Sequence, residues 1–300
     1  MLLAIGSVLL FTGGPDYYSS RSFKHLWNVG HIVYFALLAG LLSRWHFIAR
    51  MSLARQWIII LLVTLLAGVS IEFMQYGTER TPDAGDVLRD LTGSLLVLVF
   101  GLSKSASQHA SWRLSLRVTV LALLLVQLWP LTNTLIDEVI AYQQFPVLSN
   151  FETPFEIDRW HGNDKLSVVS IPSISQGKIL KLSLTTDQYS GVMLNHFDGN
   201  WVSARTLRIS FYNPDATLLQ ITCRIHDHQH TDGYEEYEDR FNRSFILMHG
   251  WNHIEIDLDE VEDSPADRSM DMRHIRGLGI FVVSLPEPRL LYLDNVQLSP

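Results

Sequence analysis

The sequence predicts two dissimilar halves: a multi-domain chain in which an α-helical polytopic membrane domain of about five spans precedes an all-β sandwich. Three observations predict it. Long apolar runs crowd the first 145 residues and then stop, shorter runs alternating with period two follow between Gly, Pro, Asn and Asp turns, and acidic charge gathers in the second half. The chain has 23 Lys or Arg and 31 Asp or Glu in 300 residues, of which the first 145 residues hold only 10 and 8. The remainder carries a balance of −10, which repels phosphate backbones and excludes nucleic acid as a partner. Averages over the whole chain, a mean hydropathy of +0.13 and 18% charged residues, conceal the division.

The apolar runs cover residues 2–11, 29–47, 57–73, 91–102 and 114–136, against the roughly 20 residues that cross a hydrocarbon core. The second, third and fifth qualify outright. The first reaches span length as residues 1–18, with Tyr17 and Tyr18 at the interface and no basic segment of the kind that opens a signal peptide. The fourth must begin near Val87, which brings Arg89 and Asp90 to the membrane boundary, where charge is expensive. Arg44, Arg50 and Arg55, and then Lys104, Arg113 and Arg117, mark cytoplasmic loops, so five spans leave everything after Asp137 outside. The expected organisation is a helical domain over 1–140, a linker over 141–150 containing Pro146, and an external sandwich over 151–300.

Polar residues in the helical half form an ordered set: His31, Glu72, Gln75, Arg80, Asp83, Asp86 and Asp90. Glu72 and Gln75 stand three apart and Asp86 and Asp90 four apart, so each pair shares a helix face. The short Tyr76 to Gly85 connection brings both faces together, with Arg80 beside the carboxylates. His31-x3-Phe35, Glu72-x2-Gln75 and Arg80-x5-Asp86-x3-Asp90-x2-Gly93 resemble the VanZ-like membrane family over about residues 1–105. Asp90 stands where that family usually has Asn, and Trp27-Asn28 where Asp-Lys often precedes the His. The resemblance implies a membrane fold and a bacterial inner membrane rather than a reaction. Three readings of the cluster stay open: polar locking of helix ends, a site for a lipid-linked saccharide or headgroup with Arg80 on phosphate, and acid/base chemistry involving His31.

Nine strand-like runs follow, at 166–171, 179–184, 191–197, 206–212, 218–225, 243–248, 252–258, 278–283 and 290–298. So many short strands in about 150 residues make a sandwich. The lone Cys223 leaves it without an internal disulfide. Phe151-Glu152 at its start, Gly250-Trp251-Asn252 before an alternating strand and Leu293-Asp294-Asn295-Val296 at its end resemble jelly-roll carbohydrate-binding modules of the galactose-binding-like fold, over about residues 148–300. That resemblance implies glycan binding and a structural calcium held by Glu152 and Asp294, in keeping with the hard oxygen donors calcium takes, while the residues themselves leave simple turn capping equally open.

The densest polar stretch runs from Arg224 to Asn242. If the strand continues, His226, His228 and His230 share one face, a pattern open to zinc or copper, to a glycan-contacting edge, or to an ordinary polar loop. Tyr189, Trp201, Tyr234 and Tyr237 are candidate stacking platforms for sugar rings, with His226, His230, Asp239 and Arg240 as hydroxyl partners, whereas Trp251 reads as core. No phosphate-cradling loop, nucleophile elbow or His-Glu-x-x-His motif occurs. The expectation is a membrane-anchored cell-envelope protein whose C-terminal domain, on the periplasmic or outer side, binds carbohydrate. An enzyme or transporter acting on a lipid-linked precursor at the Glu72/Arg80/Asp86 cluster, and a structural or protein-interaction platform, are the alternatives.

Overall fold

The computed structural model describes residues 7, 14–15, 19–75, 83–101, 110–162 and 166–300, which fall into two compact units, Met1–Thr134 and Leu135–Pro300.

The first unit holds helices α1 (Arg21–Arg44), α2 (His46–Ala49), α3 (Leu53–Gln75), α4 (Ala84–Gly101) and most of α5 (Ala110–Gln144). Ser20 starts α1 by accepting the Phe23 N–H at 3.3 Å, satisfying one of the donors a helix start leaves orphaned. Among the described residues, three helices are long and apolar enough to cross a membrane: Arg21–Arg44, Leu53–Met74 and Ser111–Gln144. The expected count was about five. The fourth run folds as α4, whose 18 residues carry Asp86, Arg89 and Asp90 and are too charged to qualify on composition. The first run lies almost wholly outside the described residues.

Helix α4 nevertheless packs lengthwise against α1 and α3. A Cβ on Gly93 would collide with the Ile32 carbonyl, so glycine is what lets these two helix backbones touch. Ser94 Oγ lies 2.7 Å from Thr64 Oγ1 on α3, and Leu98 joins Ala39, Ile48 and Ile60 in a small core.

The second unit is a two-layer antiparallel sandwich. One sheet orders β3 (Leu166–Ser170), β4 (Lys178–Leu184), β11 (Arg289–Ser299), β6 (Thr206–Asn213) and β9 (Gly250–Asp257), with β1 (Val147–Ser149) also on β11. The other orders β2 (Trp160–Gly162), β5 (Tyr189–Leu194), β10 (Ile275–Val283), β7 (Leu219–Asp227) and β8 (Phe241–Leu247). Alternation does the sorting: Leu180 and Leu182, Ile209 and Phe211, Ile221 and Cys223, and Ile280 and Val282 point inward. Burial pushes the Cys223 thiol up to about 12, so it is an inert core residue.

Across residues 141–150, where the sequence suggests a linker, helix α5 runs to Gln144 and β1 follows almost at once. The reason is a buried ion pair within the second unit: Arg159 Nε and Nη2 donate to the Asp137 carboxylate at 2.7–3.0 Å, and Nη1 donates to the Leu148 carbonyl at 2.9 Å. The end of α5 is thereby part of the sandwich unit.

Candidate functional site

The outward face of the five-stranded sheet is built around missing side chains. Gly277 and Gly279 sit on central β10, and Gly191 opposes Phe281 from β5. Each vacancy admits a neighbour: the His226 imidazole lies over Gly277, and Arg224 and Met193 meet over Gly279. Tyr189 contacts Phe281 edge-to-face at 5.9 Å, and the Arg224 guanidinium lies 5.8 Å from the same ring. Thr222, Gln220, Asn242 and Ser244 share this face through the β7–β8 register. An exposed tyrosine, a half-buried phenyl ring, a cation and several hydroxyl or amide groups thus line one glycine-floored surface.

Strand β7 ends at Asp227, so the three histidines do not share a strand face. His226 belongs to β7, while His228 and His230 lie on the short helix α6 (His228–Asp232), capped by Asp227 Oδ1 accepting the His230 N–H at 3.0 Å. His226 and His230 pair at 5.2 Å between ring centres, both buried. Burial first, then the Arg224 charge, pushes His226 down to about 3, so its imidazole is neutral at physiological pH.

Arg268 clamps this segment. Its guanidinium bonds Asp227 at 2.6 and 2.8 Å and Asp239 at 2.6 and 3.0 Å, which holds the Asp239 carboxyl below its ordinary range. Asp239 is therefore committed to an ion pair. Tyr237 is exposed beneath the Arg240 guanidinium at 5.4 Å, and both line a cleft of about 470 Å³ with Asn242, Arg243 and Glu260. Tyr234 is 95% exposed. The two tryptophans exchange their expected places. Trp201 is 0% exposed, its indole donating to the Asp198 carbonyl, and it cannot stack on a ligand. Trp251 is 37% exposed, stacked on His253 and donating to the Ile174 carbonyl.

At the start of the sandwich, Glu156 is fully buried and saturated by Ser149, Asn150, Phe151 and Thr153 donors. Glu152 accepts the Lys178 N–H at 2.9 Å. Asp294 is pushed up to about 6, chiefly by burial and further by Glu152 and Glu156. Glu152 and Asp294 are hard oxygen donors of the kind calcium takes, and the Glu152 charge is among those that raise Asp294.

In the first unit, His31 Nδ1 is hydrogen-bonded to Asp90 at 2.9 Å, and its Nε2 stands 3.7 Å from Asp86. Glu72 Oε2 accepts the Asp83 N–H at 2.7 Å, and Asp90 packs over Gly68. Arg89, not singled out from the sequence as part of the set, pairs with Asp86 and with Asp83 at 3.1 Å. Five of the seven predicted residues are thus gathered; Arg80 and the Gln75 side chain lie outside the described residues.

No family model matches the chain, and no curated protein matches it. Among solved structures it is similar to a family 11 carbohydrate-binding module from Clostridium thermocellum in complex with a β-1,3-1,4-mixed-linked tetrasaccharide, at 18% identity and TM-score 0.39, covering 51% of this chain and 94% of that one. An exo-β-agarase matches at 18% identity and TM-score 0.42, covering 51% of this chain and 25% of that one. The CBM22-2 xylan-binding domain from Paenibacillus barcinonensis matches at 21% identity and TM-score 0.32, covering 50% of this chain and 96% of that one.

Proposed function

We propose that the protein is a membrane-anchored envelope component whose sandwich binds carbohydrate on the outward face of its five-stranded sheet, with the helical unit as anchor. The observation that carries this reading is the glycine-floored surface bearing Tyr189, Phe281 and Arg224. A pyranose presents C–H groups on one face and hydroxyls around its rim, which suits an aromatic ring edged by a guanidinium, amides and hydroxyls. Tyr237 and Arg240 extend the same chemistry into the adjoining cleft. Calcium held by Glu152 and Asp294 braces the first residues of the sandwich against its last strand, away from the sugar.

The full chain in detergent micelles, screened on a glycan array and against peptidoglycan with and without calcium, tests this. Retention of a defined glycan class, weakened about two- to tenfold by Tyr189→Ala, is the expected result, since a stacked ring is worth about 0.5–1.5 kcal/mol. Clean absence of binding by folded protein rejects it.

A second reading is supported by Glu72, whose Oε1 is enclosed without a hydrogen-bond partner among the described residues while its Oε2 accepts the Asp83 N–H. On this reading the cluster acts on a lipid-linked envelope precursor, and Asp86→Asn abolishes that action while glycan binding persists.

A further inference from the structure

Three donors from two segments converge beside the Arg268 clamp. His228 opens α6, Asp271 and His274 lie on the approach to β10, and each offers a ligand atom within 4.8 Å of the others. We propose that His228, Asp271 and His274 bind a divalent transition-metal ion of the zinc class. These residues are separate from the Glu152–Asp294 corner and from the glycan platforms.

The geometry is close to that of a coordinated ion. Asp271 Oδ2 stands 2.8 Å from His274 Nδ1 and 3.6 Å from His228 Nδ1. Ligand atoms on a tetrahedral zinc, with bonds of about 2.1 Å, stand about 3.4 Å apart, so small side-chain rotations open the space. His228 Nδ1 is enclosed and makes no hydrogen bond among the described residues, although a buried imidazole nitrogen ordinarily finds a partner.

The backbone under these donors is fixed before any ion arrives. The His228 N–H donates to the His274 carbonyl at 3.0 Å, tying the two segments together. The Asp271 N–H donates to Asp227 Oδ2 at 2.7 Å, and Asp227 is itself gripped by Arg268. Asp271 Oδ1 accepts the Arg273 N–H at 3.0 Å, which turns Oδ2 toward the imidazoles. Such support is how metal ligands are oriented by their surroundings.

The donor set selects the metal class. Two imidazoles and one carboxylate suit zinc, copper or nickel, whereas calcium and magnesium demand a cage of oxygens. The His274 side chain is 62% exposed, which provides the entry path and leaves a fourth position for water or a ligand hydroxyl.

The test is calorimetric titration of the full chain in micelles, purified through a tag without histidine and stripped of metal, with Zn²⁺ in the presence of excess Ca²⁺. One Zn²⁺ per chain is expected, with affinity lost by more than about 100-fold in His274→Ala and in Asp271→Asn. His253→Ala, on a different sheet, should leave it unchanged. His274 is largely exposed, so its replacement does not threaten folding; an unaltered near-ultraviolet circular dichroism spectrum confirms that. Co²⁺ bound at the same site should give the visible absorption of a tetrahedral complex, and His274→Ala should abolish it. Absence of Zn²⁺ binding, binding that survives both substitutions, or displacement of Zn²⁺ by Ca²⁺ would overturn the proposal. The titration needs no glycan, so its outcome is independent of the sugar reading.

Discussion

Asp227 is fully buried, yet it is charged, because Arg268 and two backbone N–H groups surround it. Removing the guanidinium strands that charge: Arg268→Met should lower stability by about 3 kcal/mol, read as a shift in a denaturant melt. Asp239, on the same arginine and facing His230 at 3.4 Å, gives the pH dependence its sign. Its folded pKa lies below the unfolded one, so its contribution is present above the ordinary aspartate range and is lost as pH falls through and below it. The melting temperature should therefore drop on acidification below about pH 4, and drop less steeply in Asp239→Asn. Neither partnership was legible in the sequence, since Arg268 lies 41 and 29 residues from its carboxylates and no local pattern announces a long-range pair. The tryptophans failed for a related reason. Residue type fixes how much area a ring can bury, but tertiary placement decides which ring buries it: Trp201 is enclosed from the connection between β5 and β6, whereas Trp251 stands on β9 on the same side as His253.

At the scale of elements, periodicity carried the reading furthest. All nine expected runs became strands because period-two burial is a property of consecutive residues. The two missed strands, β1 and β2, have three residues each, too short to display a period. The condition for three histidines on one face is not met, because Asp227 caps a helix there and ends the strand midway through the pattern, which leaves the polar-loop alternative. In the helical unit the polar spacing was legible and its consequences appear in space: His31, Asp86 and Asp90 meet because α4 lies along α1. Gly93 makes that approach possible. Gly93→Ala should push the two helices apart and lower the thermal midpoint in detergent, whereas Gly40→Ala, whose added methyl meets open space, should not.

Across the whole molecule, sidedness turns on α4. If only the three apolar helices cross, the arginines between α1 and α3 hold that loop inside, and the sandwich also ends inside. If α4 crosses as well, the sandwich ends outside. Its lengthwise packing on two apolar helices, with charges confined to its first half, supports crossing. Protease added to sealed right-side-out vesicles should then cleave the sandwich; protection there with cleavage in inverted vesicles would place it inside. The sharp change of character near residue 145 was plain in the sequence, but the true seam was not, because Asp137 reads as one charge at the end of an apolar helix. That carboxylate carries a practical lesson for anyone excising the β half. A fragment starting at residue 146 discards the counter-ion of Arg159 and strips away the helix end against which that guanidinium is buried. A fragment starting at residue 135 keeps the pair, and should fold and stay monodisperse where the shorter one aggregates.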